Sequence, residues 1–224
     1  MTTATIETVI PGLHASAPLD LGFGRVPLQA RAFLLEREAG NLLLYGASAI
    51  EPQRDEVRAL GGIVRQYLNH SHEATTAADR IGQAFDAPLV VHAADAAEVA
   101  ATARVGATFD HRHRIGDDLE AIPIPGHTAG ATAYLWRAGD GERVLFTGDS
   151  VFVRGGRWVA ALLDGISDRG DYLSSLELLR GLTFDRLVPG VAPVGQPFTF
   201  AVDRAEADRQ LGEIVDRLWA GQDQ

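Results

Sequence analysis

The stretch AIPIPGHTAG, residues 121–130, carries a strand-like apolar run into a Pro-Gly turn and delivers His127 immediately after it. Farther along, RVLFTGDS (143–150) repeats the design, with an apolar run, a glycine and then Asp149. In layered α/β proteins the carboxyl ends of strands are where sites form. Gly-His and Gly-Asp are also ordinary turn chemistry, so each piece alone supports either reading. A third stretch, QYLNHSHEATTAAD (66–79), places His70 and His72 at the end of the strand-like run IVRQYLN. Alternate residues of an extended chain face the same way, so this spacing predicts two imidazoles converging on one ion. The chain holds its own control. His111 and His113 have the same spacing, but they lie among arginines and aspartates in FDHRHRIGDD (109–118), which reads as a solvated turn. His14 and His92 are isolated in strand-like contexts and read as structural.

Around these three stretches the chain alternates short strands with helices. TIETVIPGLHAS (5–16), LQARAFLLERE (28–38) and NLLLYGAS (41–48) have β-branched, alternating or continuous apolar character. EPQRDEVRALGG (51–62) begins acidic and ends on glycines, the polarity expected of a helix. ATTAADRIGQAF (74–85) and DAAEVAATARVG (95–106) also read as helical, the second with a glycine stop, and APLVVHA (87–93) lies between them as a strand. The second half supplies strands in LEAIPIPG, ATAYLWRAG, ERVLFTGD and DRLVPG. Leu173, Leu176 and Leu179 recur at helical spacing, and Leu211, Ile214, Val215 and Leu218 line one face of a closing amphipathic helix. The order argues for a layered α/β architecture in one domain spanning residues 1–224.

Composition sets the outer limits. The 224 residues are 46% hydrophobic and 22% charged, as in ordinary globular proteins. There is no cysteine, so any transition metal must be held by His, Asp or Glu. A formal charge of −10, with basic residues unclustered in sequence, disfavours a nucleic-acid partner. Apolar runs fall short of the ~20 residues a membrane span requires. The opening MTTATIETVI lacks a basic start and an apolar signal core, which leaves a cytoplasmic protein acting on a small-molecule substrate as the expectation. Oligomeric state is not legible.

In order and spacing, His70-Ser71-His72, PGHTAG with His127 and FTGDS with Asp149 resemble the metal-binding motifs of the metallo-β-lactamase superfamily. The resemblance runs over nearly the whole chain. It implies an αββα sandwich, two mixed sheets packed together with helices outside and a metal site at one edge. It also implies departures. Ala74 and Thr75 stand where the family's first motif, His-x-His-x-Asp-His, has Asp and His, and Val191 stands where a late histidine follows Pro-Gly. Tyr45 occupies the place of an Asp-containing turn. By family roles Ala74, Thr75 and Val191 all belong to a second metal position, whereas His70, His72 and His127 belong to the first and Asp149 bridges the two.

The resemblance therefore implies a mononuclear centre of His70, His72, His127 and Asp149, with zinc as the first expectation and iron or manganese as alternatives. Three imidazoles and a carboxylate satisfy tetrahedral Zn²⁺, and three ligands leave a position for water. The implied activity is hydrolysis of an ester, thioester, lactone or amide. Asp149 would serve as ligand or base, and Glu73, adjacent to the missing Asp, should diverge from the site. Arg154, Arg157 and Trp158, in SVFVRGGRWVAALLDG (150–165), would contact the substrate, against the alternative of a solvated hairpin with a packed Trp. The rival to hydrolysis is a non-catalytic member of the fold that binds a metal, a small ligand or a protein partner.

Overall fold

In the computed structural model, which describes residues 5–22 and 27–222, eighteen short strands and five helices alternate along the chain. The first four residues of the opening stretch lie outside the described residues. The N-terminal half contains β1 (Glu7–Ile10), β2 (Leu13–Ala15), β3 (Leu19–Asp20), β4 (Leu28–Ala30), β5 (Phe33–Leu35) and β6 (Leu42–Leu44). It continues with α1 (Arg54–Ala59), β7 (Arg65–Tyr67), α2 (Ala77–Phe85), β8 (Leu89–His92), α3 (Ala96–Ala100) and β9 (Val105–Phe109). The C-terminal half contains β10 (His113–Ile115), β11 (Leu119–Pro123), β12 (Thr132–Arg137), β13 (Arg143–Gly148), β14 (Phe152–Arg154) and β15 (Arg157–Val159). α4 (Arg169–Gly181), β16 (Arg186–Pro189), β17 (Val191–Pro193), β18 (Phe200–Ala201) and α5 (Arg204–Trp219) complete it.

Two sheets dominate, a seven-stranded one ordered β1-β2-β5-β6-β7-β8-β9 and a six-stranded one ordered β10-β11-β12-β13-β16-β18. Strand alternation sorts their side chains into three apolar layers. Phe33, Leu35, Leu42 and Leu44 of the first sheet meet Ala121, Tyr134, Trp136, Val144 and Phe146 of the second between the sheets. Leu34 and Leu43 point the other way, into a layer closed by Val57 of α1, Ala78 and Ile81 of α2 and Val99 of α3. Ile122, Ala133 and Leu145 likewise face Leu176 and Leu179 of α4 and Leu211, Ile214 and Val215 of α5. Strands buried on both faces read as continuous apolar runs, which explains LLLY and VLF. The result is an αββα sandwich of two mixed sheets.

One expectation for a helix needs correction. In DAAEVAATARVG the helix stops at Ala100, and Val105–Gly106 open β9 instead. Val105 follows β branching rather than helical period, and it pairs with Leu89 in a parallel ladder.

The topology gathers the chemistry at one end. β6, β7 and β8 run parallel, as do β13 and β16. β11 is related to β13 through two antiparallel steps, so it ends on the same side as β13 and β16.

Candidate metal centre

His70, His72 and His127 converge in this edge of the sandwich. Their ring centroids are 5.1 Å (His70–His72), 4.6 Å (His70–His127) and 5.5 Å (His72–His127) apart, with interplanar angles of 82°, 83° and 88°. The three rings stand nearly perpendicular to one another, and one nitrogen from each lies within 4.8 Å of the others. His70 and His127 are buried, whereas His72 is exposed at the mouth.

Local structure brings His70 and His72 together by a route that strand alternation does not describe. β7 ends at Tyr67, and residues 71–73 form a turn of 3₁₀ helix with His70 extended at its N-terminal boundary. His70 thus points inward from the last extended residue, and His72 is swung toward it by the turn. The same turn corrects the expectation for Glu73. Residues i and i+3 of a 3₁₀ turn lie on one side, so Glu73 turns back toward His70, with Oε1 3.7 Å from His70 Nδ1. Its Oε2 accepts the Asn69 N–H at 2.7 Å. His70, Glu73 and Asp149 accordingly form a second group of donors within 4.8 Å of one another.

Hydrogen bonds determine which imidazole nitrogen faces the centre. His127 Nδ1 lies 2.7 Å from the Ala161 carbonyl, so it carries the proton and donates. Its Nε2 is left as a buried acceptor without a protein partner. An orphaned buried lone pair of this kind needs a cation or a donor. His70 repeats the pattern: Nδ1 is 3.0 Å from Asn69 Oδ1, and Nε2 lies 3.7 Å from Asp149 Oδ2. Burial holds both imidazoles below their usual pKa, and the neighbouring histidines push His70 lower still. Neutral imidazole is the form that ligates a metal.

Asp149 follows Gly148, whose φ of +55° only glycine adopts readily. A Cβ on Gly148 would lie 2.0 Å from Asn69 Cγ, so the glycine lets the Asp149 strand end press against the His70 loop. Burial raises the Asp149 carboxyl to about 7, partly offset by His72. Glu73 is also pushed well up, by burial and by the Asp149 charge beside it. Two carboxylates packed together with imidazoles, and without an Arg or Lys partner among the described residues, form a site that gains from a cation.

The positions of the departures have been put to other uses. The Thr75 hydroxyl lies 2.7 Å from the Ser48 hydroxyl and accepts the Ala77 N–H at the start of α2. Ala74 packs toward the α1–α2–α3 layer. Val191 joins Phe152, Val159 and Ala161 in a small apolar cluster, and as the first residue of β17 it pairs with Ala30. Tyr45, at φ 73°, donates from its hydroxyl to the Val188 carbonyl at 2.7 Å and accepts the Gly148 N–H at 2.9 Å, tying the ends of three strands.

The remaining sequence candidates make other contacts. Trp158 is buried in the layer beneath α5, stacked on Phe184 at 6.4 Å. Its indole is apolar enough to be drawn into that layer. Arg157 faces Glu213 of α5 at 4.0 Å, and Arg154 is exposed opposite it at the turn of the β14–β15 hairpin. His14 is satisfied structurally between Thr8 Oγ1 (3.1 Å) and Glu36 Oε2 (3.0 Å). His92 accepts the Ala94 N–H and packs on Phe109, whereas His111 is exposed and His113 opens β10. Asp95, which sequence reading passed over, is a buried carboxylate bonded to both histidine loops. Nothing in its local sequence, a helix start, distinguishes it from an ordinary cap.

Residues 75–191, just over half of the chain, match the family model of the metallo-β-lactamase superfamily. The chain belongs to the metallo-β-lactamase superfamily. The matched segment contains His127 and Asp149 and begins just after the His70–His72 pair. A metallo-β-lactamase from Pontibacter korlensis superposes with a TM-score of 0.73 at 16% identity, covering 97% of this chain and 99% of that one. One from Cronobacter sakazakii, described by its HARLDQ motif, gives 0.69 at 17% identity, over 97% and 95%. ETHE1 from Myxococcus xanthus gives 0.61 at 20% identity, over 84% and 80%. At these identities the likeness is one of fold. No curated protein matches at the sequence level. Members of this metal-dependent, hydrolase-type superfamily bind metal, and the His70–His72–His127 cluster fits a metal site. No helix among the described residues is long and apolar enough to cross a membrane.

Proposed function

We propose that this protein is a metal-dependent hydrolase with one ion held by His70, His72 and His127 beside Asp149, acting on a small ester, thioester, lactone or amide. The observation that carries the reading is the pre-set tautomer of His127. Its Nδ1–H is committed to Ala161, which leaves a buried Nε2 lone pair facing the two other imidazoles. An all-imidazole set suits zinc first, and the adjoining carboxylates keep iron and manganese as alternatives. A divalent ion so held would supply Lewis acidity, enough to polarise a carbonyl oxygen and to lower the pKa of a bound water.

The chain's own groups divide the rest of the work. Asn69 and Ala161 orient the rings of His70 and His127, as outer hydrogen bonds do in metal sites. Asp149, with Oδ2 3.7 Å from His70 Nε2, would offset part of the charge of an ion bound by that imidazole. Glu73 is the carboxylate nearest to Asp149 on the His70 side, and it holds a proton more readily than an exposed glutamate. Phe152, Val159 and Val191 form a small apolar cluster, and Gly190, next to Val191, packs against Asp149. The exposed His72 marks the open side of the histidine cluster.

Two measurements on tag-free protein test the reading. Elemental analysis after supplementation should find one equivalent of Zn, Fe or Mn per chain. A panel of esters, thioesters, lactones and amides should show turnover that chelator abolishes and metal restores. Absence of stoichiometric metal overturns the reading. One equivalent of metal without turnover would favour the non-catalytic alternative, in which the fold binds a ligand or protein partner.

A further inference from the structure

Asp95 stands at the N-terminal boundary of α3, where an aspartate ordinarily caps its own helix. Here its carboxylate makes no such cap. It turns instead into the sandwich edge and is 4% exposed. Oδ2 accepts the Ser71 N–H at 2.9 Å and the Thr128 hydroxyl at 2.7 Å, and Oδ1 accepts the Gly130 N–H at 2.7 Å. Ser71 lies between His70 and His72, and Thr128 directly follows His127. One carboxylate therefore bonds to both loops that carry the imidazoles. The fit is close: a Cβ on Gly130 would lie 2.5 Å from Asp95 Cγ, so the glycine makes room for the carboxylate.

A buried carboxylate is a costly way to fill space. No Arg or Lys pairs with Asp95 among the described residues, and its charge is met by three uncharged donors. Well-packed neutral residues are often the more stable choice at buried ionic positions. What the carboxylate adds is geometry, since its two oxygens hold an amide of one loop at a set distance from an amide and a hydroxyl of the other. We infer that Asp95 is a positioning residue that sets the spacing of the His70–His72 loop against the His127 loop, and so tunes the metal centre without touching it. The inference deepens the proposed function and rests on it for its metal-binding consequence.

Asp95→Asn keeps the shape but sets an amide NH₂ against N–H donors, and Thr128→Val deletes a single bond. Tag-free protein is titrated with Zn²⁺ and with Co²⁺, and amide hydrogen exchange is followed in the metal-free state. Asp95→Asn should weaken metal binding ~10–100-fold, as outer-shell losses do, with a smaller change of the same sign in Thr128→Val. The Co²⁺ visible bands should shift, because they report ligand geometry. Exchange at Ser71 and Gly130 should accelerate together. A lowered Tm with unchanged affinity and unchanged Co²⁺ bands would make Asp95 merely structural and overturn the inference. Wild type that binds no metal would overturn the proposed function and its tuning consequence. Exchange would then decide the clamp alone: coordinated acceleration at Ser71 and Gly130 retains it, and unchanged exchange removes it. Should Asp95→Asn fail to fold, Thr128→Val carries the same readouts.

Discussion

The candidate metal centre has two sides of different construction. On the His127 side the neighbouring groups hold the imidazole and its turn in place. Ala161 takes the Nδ1 proton, Ser167 Oγ donates to the His127 carbonyl at 2.9 Å, and the start of α4 presses so closely on the Pro-Gly turn that a Cβ on Gly126 would lie 2.5 Å from Tyr172 Cα. On the Ala74–Thr75–Val191 side, the positions where the family motif has ligands serve packing. Thr75 starts a helix, Val191 builds an apolar cluster, and Tyr45 bridges strand ends through its hydroxyl. The contrast teaches that Ala74, Thr75 and Val191 are committed to packing and a helix start, whereas His70 and His127 have their rings held by hydrogen bonds. It also shows where a carboxylate reappears, since the 3₁₀ turn carries Glu73 into the centre one residue before the Ala74 position.

Breaking the preserved side should have the largest effect. His127→Ala removes the buried donor nitrogen and should weaken metal binding by more than the ~10–100-fold typical of an outer-shell loss. His113→Ala, from the control pair, should leave stoichiometry unchanged. Elemental analysis of the two variants side by side checks this. Equal metal content in both would erase the distinction between the histidine pairs.

The joint between the two sides comes next. Gly148→Ala places a side chain at φ +55° and 2.0 Å from Asn69 Cγ. Left-handed strain and overpacking together should cost about 2–5 kcal/mol. Denaturant unfolding measures the loss, and a cost below about 1 kcal/mol would show that the Asn69 loop yields freely.

Much of this was legible in the residues, for reasons that differ by region. Period-two alternation in AFLLE and VLFTG separates Leu34 and Leu145 from their neighbours and gives the layers directly, because a buried strand has few other ways to read. His127 and Asp149 stand out in the sequence because glycine and proline punctuate the strand ends that carry them. Glu73 was misread because a turn, not a strand, follows Tyr67, and the direction of a side chain in a turn depends on contacts distant in sequence. Asp95 left no signal, since its three partners lie 24, 33 and 35 residues away. Trp158 was ambiguous because an aromatic residue near a site suits either a pocket or a core.

Titration sharpens the comparison further. Asp149 is raised from 3.8 to about 7 in the folded, metal-free protein. The folded state therefore holds this proton when the unfolded chain has lost it. The contribution of Asp149 is fully favourable below about pH 4 and is lost as pH rises through about 7. Three pKa units correspond to about 4 kcal/mol at most. Partial exposure and the nearby histidines reduce the expectation to about 2 kcal/mol. Asp149→Asn removes the contribution, so the variant's Tm minus that of wild type should rise between pH 4 and pH 7 and level off above. The neutral amide also relieves Glu73, which adds to the same trend. Adding metal should reverse the order above pH 7, because the ionised carboxylate then has a cation beside it. A flat difference between pH 4 and pH 7 would show that Asp149 is not held against its charge.

The smallest expected effects lie at the turn of the β14–β15 hairpin, and they decide how far the site extends. Arg154 and Arg157 flank a Gly-Gly turn, and the Arg157–Glu213 pair at 4.0 Å is exposed on both sides. Pairs of this kind contribute ~0–1 kcal/mol, so Arg154→Ala and Arg157→Ala should each shift stability by no more than about 0.5 kcal/mol. Trp158 is held by the core, and Phe152 and Val159 turn their side chains into the apolar cluster beside Val191. The strands thus reach the site through their apolar root, whereas the arginines stand at the far end. Neither substitution should change the KM for a neutral ester or thioester. A several-fold rise in KM confined to anionic substrates would instead bring the hairpin tip over the centre during turnover, and would make the cations part of recognition after all.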